Sequence, residues 1–356
     1  MRSYFLLLQL LFTGVACADA NRSSSKVAPP VLLKAEPFNL TDVRLLDGPF
    51  RDAMLRDEKF ILSLDADRLL HTFRLNAGLP SSAEPLGGWE IPDIEARGHT
   101  MGHYLSALAL MYSSTGDETL KKRADYLVAE LAKCQAALPK KGFNQGYLSA
   151  FPESLLDRAE RQEKVLAPYY TMHKIMAGLL EVHQRCGNQQ ALDVLTGMVD
   201  WLKFRFHRLS HEQIQGTLAK EHGGMKELLV NFYAVTGNPD HLKLAQAFNH
   251  EAVFDPLAHG EDKLDGLHAN TRVPKIIGAA REFELTGDGR MRDIANFFWQ
   301  RVALHRSYVV GGDSDKEHFF PTNDFAKHLS PETAETCNTY NMLRLTRHLF
   351  SWEPSV

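Results

Sequence analysis

The sequence predicts an all-α fold, a toroid of helical hairpins that stops short of closure at its C-terminal end. Three observations predict it. Apolar residues recur at helical spacing along nearly the whole chain, alternating strand patterns are almost absent, and one stop signal keeps returning. The stop is Thr115-Gly116-Asp117, Cys186-Gly187-Asn188, Thr236-Gly237-Asn238 and Thr286-Gly287-Asp288. Glycine just past a helix end suits the left-handed C-cap, and the Asp or Asn behind it can cap the next helix. Gly187, Gly237 and Gly287 are fifty residues apart, and an insert at about 142–161 lengthens the step before them. Two helices per fifty residues describe hairpins stacked side by side. An open solenoid would show the same hairpins, but the thirty-four-residue period of tetratricopeptide repeats is absent.

The first helix of each hairpin is expected to be inner. Each has a polar start followed by an apolar body: Gly98-His99-Thr100-Met101-Gly102-His103-Tyr104, Tyr169-Tyr170-Thr171-Met172-His173-Lys174, His222-Gly223-Gly224-Met225 and His268-Ala269-Asn270-Thr271-Arg272. The partners, such as 118–137 and 189–208, carry charged faces and form an outer layer. In a ring the polar starts meet at one mouth, where helix N-termini aim N–H groups and partial positive charge at whatever binds. Such a mouth suits a polyhydroxylated ligand.

The chain has 356 residues, 44% apolar and 24% charged, with a formal net charge of −4. That is ordinary globular composition, long enough for one large core or two modest ones. It lacks the basic excess that nucleic-acid binding calls for. No run of about 18 apolar residues follows residue 20, so no membrane span is expected in the mature chain. Residues 1–20 read as a signal peptide: Met1-Arg2 is basic, Tyr4 to Val15 almost wholly apolar, and Ala18-Asp19-Ala20 a cleavage pattern. The expected location is therefore secreted or periplasmic. Cys17 after Gly14-Val15-Ala16 matches a lipoprotein box only loosely. Residues 21–37 read as a linker, which leaves 38–356 for the barrel. Cys134, Cys186 and Cys337 remain in the mature chain with no C-x-x-C pair, so no disulfide framework is implied. Cys134 and Cys186 fall in apolar helical stretches and read as core filler.

Chemistry-bearing side chains gather near the C-terminal end. The segment Val309-Val310-Gly311-Gly312-Asp313-Ser314-Asp315-Lys316-Glu317-His318-Phe319-Phe320 interrupts the helices as a loop, where functional side chains are commonly placed. After a second irregular stretch comes Glu335-Thr336-Cys337-Asn338, with a helix behind it that the Ser330/Glu332 region could start. On a regular helix Glu335 and Cys337 would point apart; on an irregular backbone both could reach one Zn²⁺, which needs three or four ligands in all. By themselves these residues read sooner as a buried structural cysteine beside a helix-capping glutamate. His103 and His173 read equally as satisfied core histidines.

Four ordered segments carry a resemblance that covers about Phe38 to the end of the chain. They are Arg97-Gly98-His99-Thr100-Met101-Gly102-His103-Tyr104-Leu105, Tyr170-Thr171-Met172-His173-Lys174-Ile175-Met176-Ala177-Gly178, His268-Ala269-Asn270-Thr271 and Glu335-Thr336-Cys337-Asn338. Together they resemble the β-L-arabinofuranosidases of glycoside hydrolase family 127. The resemblance implies an (α/α)6 barrel followed by β-sandwich domains, and retaining hydrolysis of terminal β-L-arabinofuranosides in plant-type oligo- or polysaccharides. It implies Glu317 as acid/base, with Phe319 two residues on, and Glu335 and Cys337 as two ligands of a Zn²⁺ whose bound cysteine thiolate is the nucleophile. It implies His173 and His268 as sugar contacts, with His103 and the less sharply matched His222 beside them. A metal-held thiolate replaces the usual carboxylate nucleophile, while a glutamic acid assists the leaving oxygen and then activates water.

The sequence departs from that pattern in one respect. The family's later Cys-Cys pair, which supplies the nucleophile, has no counterpart, since no cysteine follows Cys337. The expectation is a piece of a longer product, with an incomplete zinc site and no activity by itself. Two other readings stay open: an (α/α)6 hydrolase or lyase without zinc, and a non-catalytic helical scaffold that binds glycan or protein.

Overall fold

A computed structural model describes residues 25–355, so the signal-peptide reading of residues 1–20 lies outside the described residues. In chain order the helices are α1 (Pro49–Ser63), α2 (Ala66–Asn76), α3 (His99–Thr115), α4 (Glu118–Ala137), α5 (Ser154–Glu160), α6 (Pro168–Cys186) and α7 (Gln189–Phe206). Then follow α8 (His211–Lys220), α9 (Met225–Thr236), α10 (Pro239–Gln246), α11 (Glu251–Ala258), α12 (Ala269–Thr286), α13 (Gly289–His305) and α14 (Thr336–Trp352). Among the described residues there is no strand, only two isolated bridges around His318. None of the described helices is long and apolar enough to cross a membrane.

The recurrent stops form as their chemistry requires. Gly116, Gly187, Gly237 and Gly287 all take left-handed φ values, between 68° and 78°, at the ends of α3, α6, α9 and α12. The residue behind each glycine then caps the next helix: Asp117, Asn188, Asn238 and Asp288 accept N–H groups of Thr119, Ala191, Asp240 and Arg290. Each stop is thus a sharp reversal, and each reversal makes a hairpin.

The hairpins divide into two layers. Helices α3, α6, α9, α12 and α14 pack side by side in that order, with α4, α7, α10 and α13 behind the first four. Burial distinguishes the layers. On α12, 14 of 18 residues are buried, charged ones included, whereas α4 buries one stripe of 6 in 20. The free thiols Cys134 and Cys186 are both buried. A fully buried ion pair, Lys226 to Glu282, ties α9 to α12.

Glycine sets how closely the inner helices approach. A Cβ on Gly178 of α6 would lie 2.5 Å from the Gly102 carbonyl oxygen of α3, and one on Gly102 would collide with the Lys174 backbone. Backbone meets backbone at this crossing. On the side away from the inner-helix starts, residues 25–35 run as an irregular strap. The Lys26 N–H donates to Ala234 O (2.7 Å) and the Lys34 N–H to Ser351 O (2.8 Å), in the last turns of α9 and α14.

Helix α14 starts later than Ser330 or Glu332. There the side chains compete for the backbone: the Ser330 N–H donates to Thr333 Oγ1 (2.7 Å), and the Thr333 hydroxyl donates to His328 O (2.7 Å). A closed local turn results, and the helix begins at Thr336 with Glu335 as its extended N-cap.

Replacing Gly102 by alanine is expected to destabilise the protein by about 3 kcal/mol, the upper range for overpacking, because neither backbone at the crossing can yield. Thermal or urea unfolding of the variant measures it; an unchanged midpoint would contradict this account of the crossing.

Candidate active site

The mouth is built at the N-terminal ends of the inner helices, and two buried carboxylates hold those ends in place. Glu90 accepts the N–H groups of Gly98 (2.5 Å) and Thr100 (2.8 Å) at the start of α3, with the His99 ring 3.0 Å away. Glu221 accepts the Tyr170 N–H (3.2 Å) at the start of α6. Each anion meets the positive end of a helix dipole. Burial nevertheless pushes the Glu221 carboxyl up to about 7, against the pull of those N–H groups.

His222 follows Glu221 and is wedged between α6 and α12. Its ring stacks on His173 (5.7 Å, 26°) and meets the Tyr170 ring edge-on (5.1 Å). The wedge needs glycines. A Cβ on Gly224 would lie 2.6 Å from His173 Nε2, and one on Gly223 2.5 Å from the Lys275 backbone nitrogen. Tyr170 bonds His103, with 3.1 Å between Tyr170 Oη and His103 Nε2. Burial holds the imidazoles of His173 and His222 well below the usual histidine range, so both are neutral at pH 7. His103 opens onto the mouth, and desolvation there, with Lys174 adding, lowers it to about 3.

Across the mouth, Glu317 stands on a strained turn. Asp315 and His318 exchange backbone hydrogen bonds (2.9 and 3.0 Å), while Lys316 and Glu317 between them take φ values of 48° and 65°. Two consecutive positive φ angles make a type I′ turn, a conformation that favours Gly or Asn over these side chains. Backbone bonds dock the turn on the entry to α12: the Ala269 N–H donates to Glu317 O (2.8 Å) and the Phe319 N–H to Leu267 O (2.9 Å). Such non-glycine strain persists only where the surrounding structure enforces it, here through those backbone bonds. The Glu317 carboxylate is exposed, and its Oε2 lies 3.1 Å from Nε2 of His268, the N-cap of α12. Desolvation lowers the His268 pKa, and the Glu317 charge opposes that shift.

Glu335 and Cys337 face the same space from α14. Glu335 is outside the helix, and its carboxylate hydrogen-bonds the exposed Cys337 thiol. The off-helix backbone lets the two side chains converge. Burial raises both groups, with the mutual bond lifting Cys337 further, and Glu317 is close enough to act on each. Oxygen Oε2 of Glu335 is buried without a partner. A thiol, a carboxylate and that orphaned oxygen suit zinc in kind. In number they give two donors, and among the described residues no three His, Cys, Asp or Glu side chains assemble around one point.

The structure therefore brings His103, His173, His222, His268, Glu317, Glu335 and Cys337 to one mouth. Sequence reading quoted Tyr170 and Lys174 without giving them a role and left out Asn341, Arg344 and Glu227, all on the same inner helices. The Asn341 amide donates to Asn270 Oδ1 (3.0 Å), and Arg344 to Glu227 Oε1 (2.5 Å). Helical spacing was the available signal: Tyr170 and Lys174 share a face of α6, as do Cys337, Asn341 and Arg344 on α14.

Comparison with known proteins gives the family and the fold. A family model described as the catalytic domain of the GH127 β-L-arabinofuranosidases matches residues 42–356. The chain belongs to that family. A non-reducing end β-L-arabinofuranosidase of Bifidobacterium longum subsp. longum is 25% identical over 217 residues, 52% of this chain and 32% of that protein. A GH127 β-L-arabinofuranosidase structure from Geobacillus stearothermophilus matches with TM-score 0.59 and 19% identity over 86% of this chain and 50% of its own. A GH127 β-arabinofuranosidase structure matches with TM-score 0.64 and 14% identity, over 93% and 52%. The chain thus spans about half the length of these solved structures and a third of the curated relative. The structural likeness carries the fold, an all-helical toroid of hairpins.

Glu221 generates a pH prediction. A carboxyl raised by folding stabilises the fold in its protonated form, and that contribution is lost as pH rises from its ordinary 4.5 through about 7. Glu221→Gln, whose amide oxygen can still accept the Tyr170 N–H, is expected to flatten the fall in melting temperature between about pH 5 and 7.5. Parallel pH–stability curves for the two proteins would count against a strained Glu221 anion.

Proposed function

We propose that the protein is an exported glycoside hydrolase that releases terminal β-L-arabinofuranose, or a related sugar, from plant-type glycans with retention of configuration. The observation that carries this reading is Glu317, an exposed carboxylate on a strained turn, 3.1 Å from His268 at the mouth and within electrostatic reach of Cys337. Family membership and the glycosidase names of its relatives support it.

In this reading Glu317 is the acid/base. As the acid it gives its proton to the leaving glycosidic oxygen, and as the base it takes one from the incoming water. His268 donates to the Glu317 carboxylate and keeps it aimed into the mouth. Neutral His173 and His222, with His103 on the facing wall, hold sugar hydroxyls by donating and accepting without adding charge. Glu335 and Cys337 would hold Zn²⁺ together with donors beyond those described, and the bound ion would keep a thiol deprotonated at neutral pH. The signal peptide read at residues 1–20 would carry the protein to glycans outside the cytoplasm.

The test is hydrolysis of p-nitrophenyl β-L-arabinofuranoside by the protein in its full natural length. Glu317→Gln is expected to lower kcat on the order of a hundredfold or more. Hydrolysis untouched by that change would sink the acid/base assignment. Metal analysis checks the zinc reading: about one ion per chain is expected in the active protein, and much less after Cys337→Ser. Full activity in protein shown to be free of zinc would refute it.

A further inference from the structure

The turn that carries Glu317 is held from two sides. On one, backbone bonds dock it on the entry to α12, through Ala269 N–H to Glu317 O (2.8 Å) and Phe319 N–H to Leu267 O (2.9 Å). On the other, the chain leading into the turn lies against the segment that leads into α14. A Cβ on Gly312 would sit 2.8 Å from the Ala334 Cα, so the two backbones nearly touch there. The buried Asn338 amide donates to Ser314 Oγ (2.7 Å), and the Lys316 N–H donates to Glu332 O (3.3 Å).

Asp315 joins this second side to the turn itself. Its backbone closes the turn with His318 (2.9 and 3.0 Å), while its carboxylate bridges to two fixed groups. The Ser330 hydroxyl donates to Oδ1 (2.7 Å), and His328 Nδ1 lies 3.2 Å from Oδ2. Both anchors are themselves held. The His328 ring stacks flat on Phe320 (4.8 Å, 10°). Ser330 is fixed by its own local turn, its N–H donating to Thr333 Oγ1 (2.7 Å) and its hydroxyl oxygen accepting the Glu332 N–H (3.1 Å). The Ser330 bond, with His328 adding, holds the Asp315 carboxyl below the usual carboxylate range, so it is an anion at neutral pH.

Strain gives that anion a task. Lys316 and Glu317 take φ values of 48° and 65°, which cost energy for any side chain other than Gly or Asn. A turn bonded on one side only could release the strain by swinging its tip. The exposed Glu317 carboxylate, 3.1 Å from His268, stands at that tip. Hydrogen bonds to a charged acceptor are the strong ones, and Asp315 takes one from a rigid donor directly beside the strained pair.

We propose that Asp315 is a positioning residue for the acid/base: anchored on Ser330 and His328, it keeps the Lys316–Glu317 turn in its left-handed conformation and the Glu317 carboxylate beside His268. This rests on the reading of Glu317 as the acid/base. It goes further by assigning the aim of that group to a neighbouring side chain that transfers no proton.

A double-mutant cycle in the protein of full natural length tests the clamp, with p-nitrophenyl and methyl β-L-arabinofuranosides as substrates. Asp315→Ala is expected to lower kcat on the order of tenfold and to leave KM within about twofold, because the misplaced group acts in the transition state. The loss should be larger for the methyl glycoside, whose poor leaving group depends more on the acid. Asp315→Asn, which can still accept the Ser330 hydroxyl, should regain most of the rate. In a Glu317→Gln background, Asp315→Ala should cost no more than about twofold further, since it acts through a group already removed. Ser330→Ala cuts the same bond from the other end and should show the same leaving-group dependence, which keeps the test open if Asp315→Ala folds poorly. Unchanged kcat in Asp315→Ala, equal losses on the two glycosides, or a tenfold loss that persists beside Glu317→Gln would overturn the positioning role and leave Glu317 as the acid/base. A Glu317→Gln enzyme as fast as the parent would remove both readings together.

Discussion

The inner helices of this protein approach one another through glycine, and the mouth depends on that. Gly102 and Gly178 let α3 and α6 cross with their backbones in contact, Gly223 and Gly224 let the entry to α9 wedge between α6 and α12, and Gly278 receives the Lys226 stem. A methyl group at any of these points would meet backbone, or a packed ring or stem, at less than ordinary contact distance. With those contacts the polar starts of the inner helices share one space; with wider spacing, His173, His222 and Tyr170 would no longer touch. The geometry of the mouth is thus set by side chains that are not there.

Around this crossing the protein places charge with some economy. Glu90 and Glu221 sit at helix N-termini, where the dipole offsets part of the desolvation that a buried carboxylate suffers. The buried His173 and His222 and the nearby His103 stay neutral, which suits hydroxyl groups better than a ring of imidazolium ions would. The exposed carboxylate is kept for Glu317, on a turn whose two positive φ angles cost energy that its backbone bonds to α12 offset. Rigid helices thus hold one wall of the site and a docked, strained turn the other.

Much of the helical frame was legible along the chain because its signals are local. A Gly-Asp or Gly-Asn step contains its own C-cap and the following N-cap, so Gly116, Gly187, Gly237 and Gly287 mark reversals wherever the rest of the chain lies. The start of α14 was not legible. Ser330 and Thr333 can cap a helix as well as close a turn, and contacts with His328 and Asp315, outside the helix, decide between the two. Resemblance named Glu317, Glu335 and Cys337, which spacing by itself left ambiguous. Glu227 and Arg344 escaped both, since a glutamate and an arginine on two helices are ordinary until the helices are brought together.

The sequence by itself determined that this protein is a stack of helical hairpins with histidine-rich inner starts, and that its carboxylates and one thiol cluster near the C-terminal end. Those properties follow from periodicity and capping, which act within a few residues. Tertiary structure alone decided that the carboxylate at Glu317 meets His268, that Glu335 leaves the helix beside Cys337, and that Arg344 meets Glu227. Contacts of that kind join residues up to 117 positions apart, and only packing sets their distances.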